Sequence, residues 1–272
     1  MRGASRAALA AAKDRLAAAL TGATAVQASR AGDELFAVVE LLDREPGLRR
    51  SLSDPSRDVA ARTALAENLL AGRVSAEALA QVTGLVGERW SAAGDLADAA
   101  EELAVIAIAI AAEKQGQLDE TEDELFRFGR IVQASPGLRS ALSNQFAPAA
   151  GRRRIVTDLL TGKVTDSALR LITQVASHPR GRSLDGSLDA YANLAAALRE
   201  RLVAEVRLAV PITDAQRSRL AAALAAAYGH DVHLNIVLDP EVLGGMSVRI
   251  GDQLINGSVA SRLAELRRGL AA

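Results

Sequence analysis

Two periodicities divide the chain. Up to about Arg180, short apolar stripes at helical spacing are separated by glycine, serine and proline breaks, which predicts short antiparallel helices packed in bundles. A further helix is predicted over about 183–201. Beyond it Ala204, Val206, Leu208 and Val210 alternate with Glu205 and Arg207, the two-residue period of a half-buried strand. Thr213 and Gln216 then stand at capping-box spacing before a helix with the stripe Leu220, Leu224 and Tyr228. Alternation returns at Val232, Leu234, Ile236 and Leu238, and again at Met246, Val248 and Ile250 before a Gly251-Asp252 turn that sends Leu254 to Asn256 back as a hairpin. Ser258 opens a last helix with the stripe Val259, Leu263, Leu266 and Leu270. The expected fold class is α+β, mostly α: helical bundles followed by a small β-α-β-β-β-α domain.

The helical part repeats itself at a shift of 90 residues. Asp33-Glu34-Leu35-Phe36 returns as Asp123-Glu124-Leu125-Phe126, and Pro46-Gly47-Leu48-Arg49 as Pro136-Gly137-Leu138-Arg139. Leu69-Leu70-Ala71-Gly72 returns as Leu159-Leu160-Thr161-Gly162, again without a gap. Such self-similarity marks a duplicated module. Gly72 and Gly162 stand where a helix ends on a left-handed residue, and Ser75 and Thr165 open the next helix. Val74 with Leu79, and Val164 with Leu169, have the spacing of a hydrophobic staple. Ser135 before Pro136 is another helix start.

Between the copies, residues 95–117 read as one long helix that closes the first bundle and opens the second. Its Val105, Ile106, Ile108 and Ile110 are apolar on several sides, which predicts either full burial or one face laid on a partner. The expected domains are therefore 1–94, an extra N-terminal bundle; 95–182, a second bundle sharing the helix 95–117; and 183–272, a connecting helix with the α/β unit.

Composition narrows the function classes. The 32 basic and 33 acidic residues among 272 leave a net charge of −1, without the cationic excess of a general nucleic-acid binder. The absence of cysteine excludes disulfides, thiolate catalysis and iron–sulfur clusters, and fits a reducing compartment. The most apolar run, 103–112, is about half the length of a bilayer span, so direct membrane insertion is not expected. Charge is nevertheless uneven: residues 95–124 are strongly acidic, whereas 125–157 carry arginines and no acid. Such blocks either steer a partner or are ordinary solvated faces.

No arrangement in the chain points to catalysis, a cofactor or a metal. Gly162-Lys163-Val164-Thr165 lacks the spacing of a phosphate-binding loop, and Gly244-Gly245 with Gly251 do not match a dinucleotide fingerprint. His230 and His233 lack a ligand set, and pairs such as Glu101-Glu102 lie in polar stretches.

The C-terminal string from Leu238 to Leu263 is more specific. Its Gly244-Gly245 pair, the Ile250-Gly251-Asp252 turn, the Gly257-Ser258 helix start and the Arg262-Leu263 pair resemble the signature of the delta subunit of F-type ATP synthases, called OSCP in mitochondria. Asn256 departs from it, because the family commonly has aspartate there. The resemblance covers about 95–272, and the surplus before it looks like a second copy of the family's bundle, as in enlarged actinobacterial delta subunits. It implies a non-catalytic peripheral-stalk subunit on the cytoplasmic face of the cell membrane, joining the catalytic head to b-type stalk helices. It also implies a groove between the first and fifth bundle helices, near Val105, Ile106, Ile110, Leu169, Ile172 and Val175, for an N-terminal helix of an α subunit. The last helix, at Val259, Arg262, Leu263 and Leu266, is then the expected b contact. The alternative reading is a stand-alone cytosolic adaptor that binds amphipathic helices.

Overall fold

The computed structural model describes residues 1, 3–144, 146–201, 203–228, 233–239, 246–250 and 253–256. They fall into two compact units, Met1–Ala196 and Ala197–Ala272. The first unit is helical throughout. Helices α1 (Gly3–Leu20), α2 (Ala25–Arg44), α3 (Pro46–Ser53), α4 (Val59–Leu70) and α5 (Ala76–Gly87) lead into α6 (Ala93–Lys114). Helices α7 (Leu118–Ala134), α8 (Pro136–Ser143), α9 (Ala149–Leu160), α10 (Asp166–Ser177) and α11 (Leu184–Arg201) repeat the same order 90 residues on.

Local chemistry explains the corners. Gly72 and Gly162 have φ of 71° and 73°, the left-handed conformation that ends a helix without a Cβ penalty. Ser75 then caps α5 by accepting from the Ala78 amide (3.3 Å), and Thr165 caps α10 by accepting from Ala168 (3.2 Å). Pro136 begins α8 behind the Ser135 cap.

Helix α6 serves both bundles, so all residues 103–112 are buried. Ordinary amphipathic helices keep one face in water; this one is surrounded, which is why its apolar residues show no stripe. The closest approach is to α2. A Cβ built on Gly32 would lie 2.7 Å from Ile108 Cδ1 and 3.0 Å from the Ala104 carbonyl oxygen, so glycine sets that contact.

In the second unit, β1 (Val203–Leu208), α12 (Asp214–Tyr228), β2 (His233–Leu238), β3 (Met246–Ile250) and β4 (Gln253–Asn256) form a sheet of order β2-β1-β3-β4. Strand β2 runs parallel to β1, as the intervening α12 requires, and β3 and β4 are antiparallel with Ile250 opposite Gln253. Val206, Leu208, Leu234, Val248 and Ile250 face Leu224 in one core. The Thr213–Gln216 capping box is formed. The alternation fails at the strand ends: β1 stops at Leu208, with Val210, beside Pro211, exposed, and Leu238 and Met246 are exposed at the end of β2 and the start of β3. Proline supplies no ladder donor, and the last sheet bond is from the Asp239 amide to the Leu208 carbonyl at 2.9 Å. The final helix expected from Ser258 lies outside the described residues.

Candidate partner-binding site

The two bundles repeat a pair of polar staples, of which Arg62, Arg152 and Glu124 are buried and Glu34 half-buried. Arg62 on α4 donates through Nη1 to the carbonyls of Val86 (2.7 Å) and Glu88 (3.1 Å), where α5 ends. Arg152 on α9 donates to the carbonyls of Ala176 (2.6 Å) and Ser177 (2.7 Å) at the end of α10, and to those of Asn144 and Ala147 in the α8–α9 loop. Each guanidinium is buried with no carboxylate paired to it among the described residues, and the carbonyls and negative dipole end of the fifth bundle helix hold it there. At the opposite end of that helix, Glu34 accepts from the Ser75 amide (2.7 Å) and hydroxyl, and Glu124 from the Thr165 amide (2.9 Å) and hydroxyl. Burial pushes the Glu34 carboxyl up, but the bonds from Ser75 and Arg30 outweigh it and hold the group below its ordinary range. These four residues were legible only as identities across the repeat, in which Arg62 and Arg152 stand in otherwise divergent stretches.

A third polar cluster ties the first bundle to the second. Arg180 follows α10 with φ of 51°, unusual for a residue with a side chain. Its guanidinium reaches Asp43 on α2 (2.6 Å), Asp98 on α6 (3.0 Å) and the buried Glu101. Glu101 also takes Arg182 and a 2.6 Å bond from the Tyr191 hydroxyl of α11. Burial works against the charge on Arg180, yet the Asp43 bond and the three carboxylates raise its pKa above the usual value. Burial, then the charge of Glu101, raises the Tyr191 phenol well above its ordinary value. Tyr191 also stacks on Phe36 of α2, ring centres 6.2 Å apart. The acidic block is thus largely consumed within the fold: Asp95 accepts from Ser5, Asp98 and Glu101 hold Arg180, Glu102 holds Lys13, and Glu124 caps α10.

The six groove residues lie on α6 and α10, which pack together. Val105, Ile172 and Val175 are at most 1% exposed and fill the interior of that seam. Ile106 and Ile110, at 9%, are buried as well, so of the six only Leu169 is partly exposed. Helix α2 reaches the α10 side through an Asp33–Arg170 ion pair and through Glu40, whose Oε1 lies 3.1 Å from His178 Nδ1. The signature residues Gly244, Gly245, Gly251, Asp252, Gly257 and Ser258 lie outside the described residues, as do Val259, Arg262, Leu263 and Leu266. Among the described residues no helix is long and apolar enough to cross a membrane.

The chain matches known proteins over most of its length. The family model for the "ATP synthase delta (OSCP) subunit" matches residues 104–270. "ATP synthase subunit delta" of Streptomyces avermitilis is 52% identical over 269 residues, covering 99% of this chain and 98% of that one. The same subunit of Streptomyces griseus is 50% identical over 271 residues, covering both chains fully, and that of Thermobifida fusca is 45% identical over 240 residues, or 88% of this chain and 89% of its own. A chain from the cryo-EM structure of the Toxoplasma gondii mitochondrial ATP synthase hexamer overlaps 62% of this chain and 95% of its own, with 18% identity and a TM-score of 0.32.

Proposed function

This chain belongs to the ATP synthase delta (OSCP) subunit family, and from that premise we propose that it is a stator: it holds the catalytic head to the b-type stalk helices against rotor torque, on the cytoplasmic face of the membrane. It contributes no chemistry of its own; its task is mechanical. The single observation that carries this reading from the fold is the shared helix α6, which makes two bundles into one body suited to bearing force.

The division of labour follows the sequence segments. Residues 95–182 take an amphipathic N-terminal helix of an α subunit along the α6–α10 seam, where Leu169 is the partly exposed apolar residue. Residues 183–272 take the b-type helices through Val259, Arg262, Leu263 and Leu266. Residues 1–94 brace the second bundle.

A tagged chain pulled from detergent-solubilised membranes of its source should recover α, β and b subunits, identified by mass spectrometry. Leu169→Glu should lower recovery of α and β while b is retained, and Leu263→Glu should do the reverse. Recovery of none of the three subunits would overturn the stator reading, and equal losses from both variants would overturn the division of labour.

A further inference from the structure

The second bundle holds a groove away from the α6–α10 seam, with Arg127 of the basic block in its lining. Helices α7, α8 and α9 enclose a cavity of about 370 Å³, with Phe128 and Leu138 inside it. Its walls are Ile131, 54% exposed, and Leu159, 42% exposed, and its rim carries Arg127 and Lys163. Together with Phe128 and Leu138 these walls make one contiguous apolar surface open to solvent, the kind that marks an interaction site more often than single exposed side chains do.

The duplication shows that the fold does not demand this surface. At the same places in the first bundle, Leu41 replaces Ile131 and Leu69 replaces Leu159, and both are half-buried. Ala37 stands where the second bundle has Arg127. Both copies keep the same helix order and the same polar staples, so the opened walls and the added cation are particular to the second copy and are not requirements of the scaffold.

Charge specifies the occupant. Arg127, and Arg130 less than one turn along α7, pair with no carboxylate among the described residues. Lys163 is held at the rim by its 2.9 Å bond to the Leu159 carbonyl. The one carboxylate in the lining, Glu124, is already engaged by the Thr165 amide and hydroxyl. Two cations, Arg127 and Lys163, thus face one carboxylate in the lining, so the groove offers apolar walls with a positive bias, and it lies between helices, with no strand edge to extend. We propose that the α7–α8–α9 groove is a second docking site, for a partner helix whose apolar stripe is bordered by Asp and Glu. It involves different helices from the seam assigned above and stands whether or not that assignment does.

The test uses the full chain and a fluorescent synthetic 18-residue helical peptide, with leucines at i, i+3, i+4 and i+7 spacing flanked by glutamates. Anisotropy should report binding that weakens with salt, about tenfold stronger than for the matched lysine-flanked peptide. Ile131→Ser and Arg127→Glu should each weaken it about tenfold. Both sites are exposed, so the variants should keep the parent melting temperature. The proposal is overturned if the glutamate peptide does not bind, if both peptides bind alike, or if neither groove variant changes affinity in a folded chain.

Discussion

Buried charge is handled in two ways in this chain, and the difference sets what each residue should cost to replace. Arg152 is neutralised by carbonyl dipoles alone, so Arg152→Met keeps much of the apolar stem and strands several acceptors of the α8–α9 loop and the α10 end. Urea unfolding should register a loss of about 2–3 kcal/mol from those unmade bonds. Glu101 instead sits between two guanidiniums and a phenol; Glu101→Ala leaves buried Arg180 with one fewer carboxylate and should cost about 3–5 kcal/mol. If Glu101→Ala proves the milder of the two in the same assay, the cluster is not the tie it is taken to be. His178, by contrast, is kept from charging. Burial lowers its pKa, Arg153 and Arg152 lower it further, and Glu40 and Asp43 pull the other way without prevailing. The fold therefore favours neutral imidazole. As pH falls through the ordinary histidine value of about 6.5, the unfolded chain takes up a proton that the fold resists, and stability declines until the lowered folded value is passed. His178→Gln should flatten the fall in stability below about pH 6.5 and change little above it, as read from melting temperatures across that range.

Helix by helix, the chain was legible wherever a boundary is written in local chemistry. Gly72, Gly162, Ser75, Thr165 and Pro136 each satisfy a backbone need that a short window reveals, and the helices begin and end there. The shared helix was legible too, because Val105, Ile106, Ile108 and Ile110 leave it no polar face. What could not be read was which distant elements meet. The Asp43–Arg180 pair spans 137 residues, and nothing in the neighbourhood of either residue announces the other. The groove residues illustrate the same limit: their apolar character was visible, but five of the six are buried as interior packing and only Leu169 is partly exposed. Glycine shows how far tertiary context decides an element's tolerance. Gly32 and Gly84 look alike in sequence, yet a methyl group at Gly32 meets Ile108 and the Ala104 backbone, whereas at Gly84 it meets the Arg15 guanidinium 2.9 Å away, which can swing aside. Gly32→Ala should destabilise by about 1–3 kcal/mol, since α2 must move off α6. Gly84→Ala should fall near neutral in the same melt, its clash offset by the gain in helix propensity.

On the scale of the helical unit, the decisive feature is that neither bundle owns its core. Helix α6 closes the first bundle and opens the second, and residues 103–112 have no exposed side. If helices α1–α5 unfolded alone, the α6 surface they cover would meet water. Uncovering even two or three of Leu103, Val105, Ile106, Ile108 and Ile110 would cost roughly 5 kcal/mol, comparable with the net stability of a whole domain. The Arg180 cluster and the Phe36–Tyr191 stack add ties that would break in the same event. Independent opening of one bundle is therefore as costly as opening both, and residues 1–196 should unfold in one step despite containing a duplicated module. Hydrogen exchange at rising denaturant gives the measurement: the most protected amides of α2 and α5 should converge on the same opening free energy as those of α7 and α10. Gly32→Ala in one bundle and Arg152→Met in the other should each lower that common value. Were α1–α5 to exchange at lower denaturant while α7–α10 stayed protected, the extra bundle would be an appendage on the second. A common value means that force applied to either bundle is borne by both, which is the property a stator subunit needs.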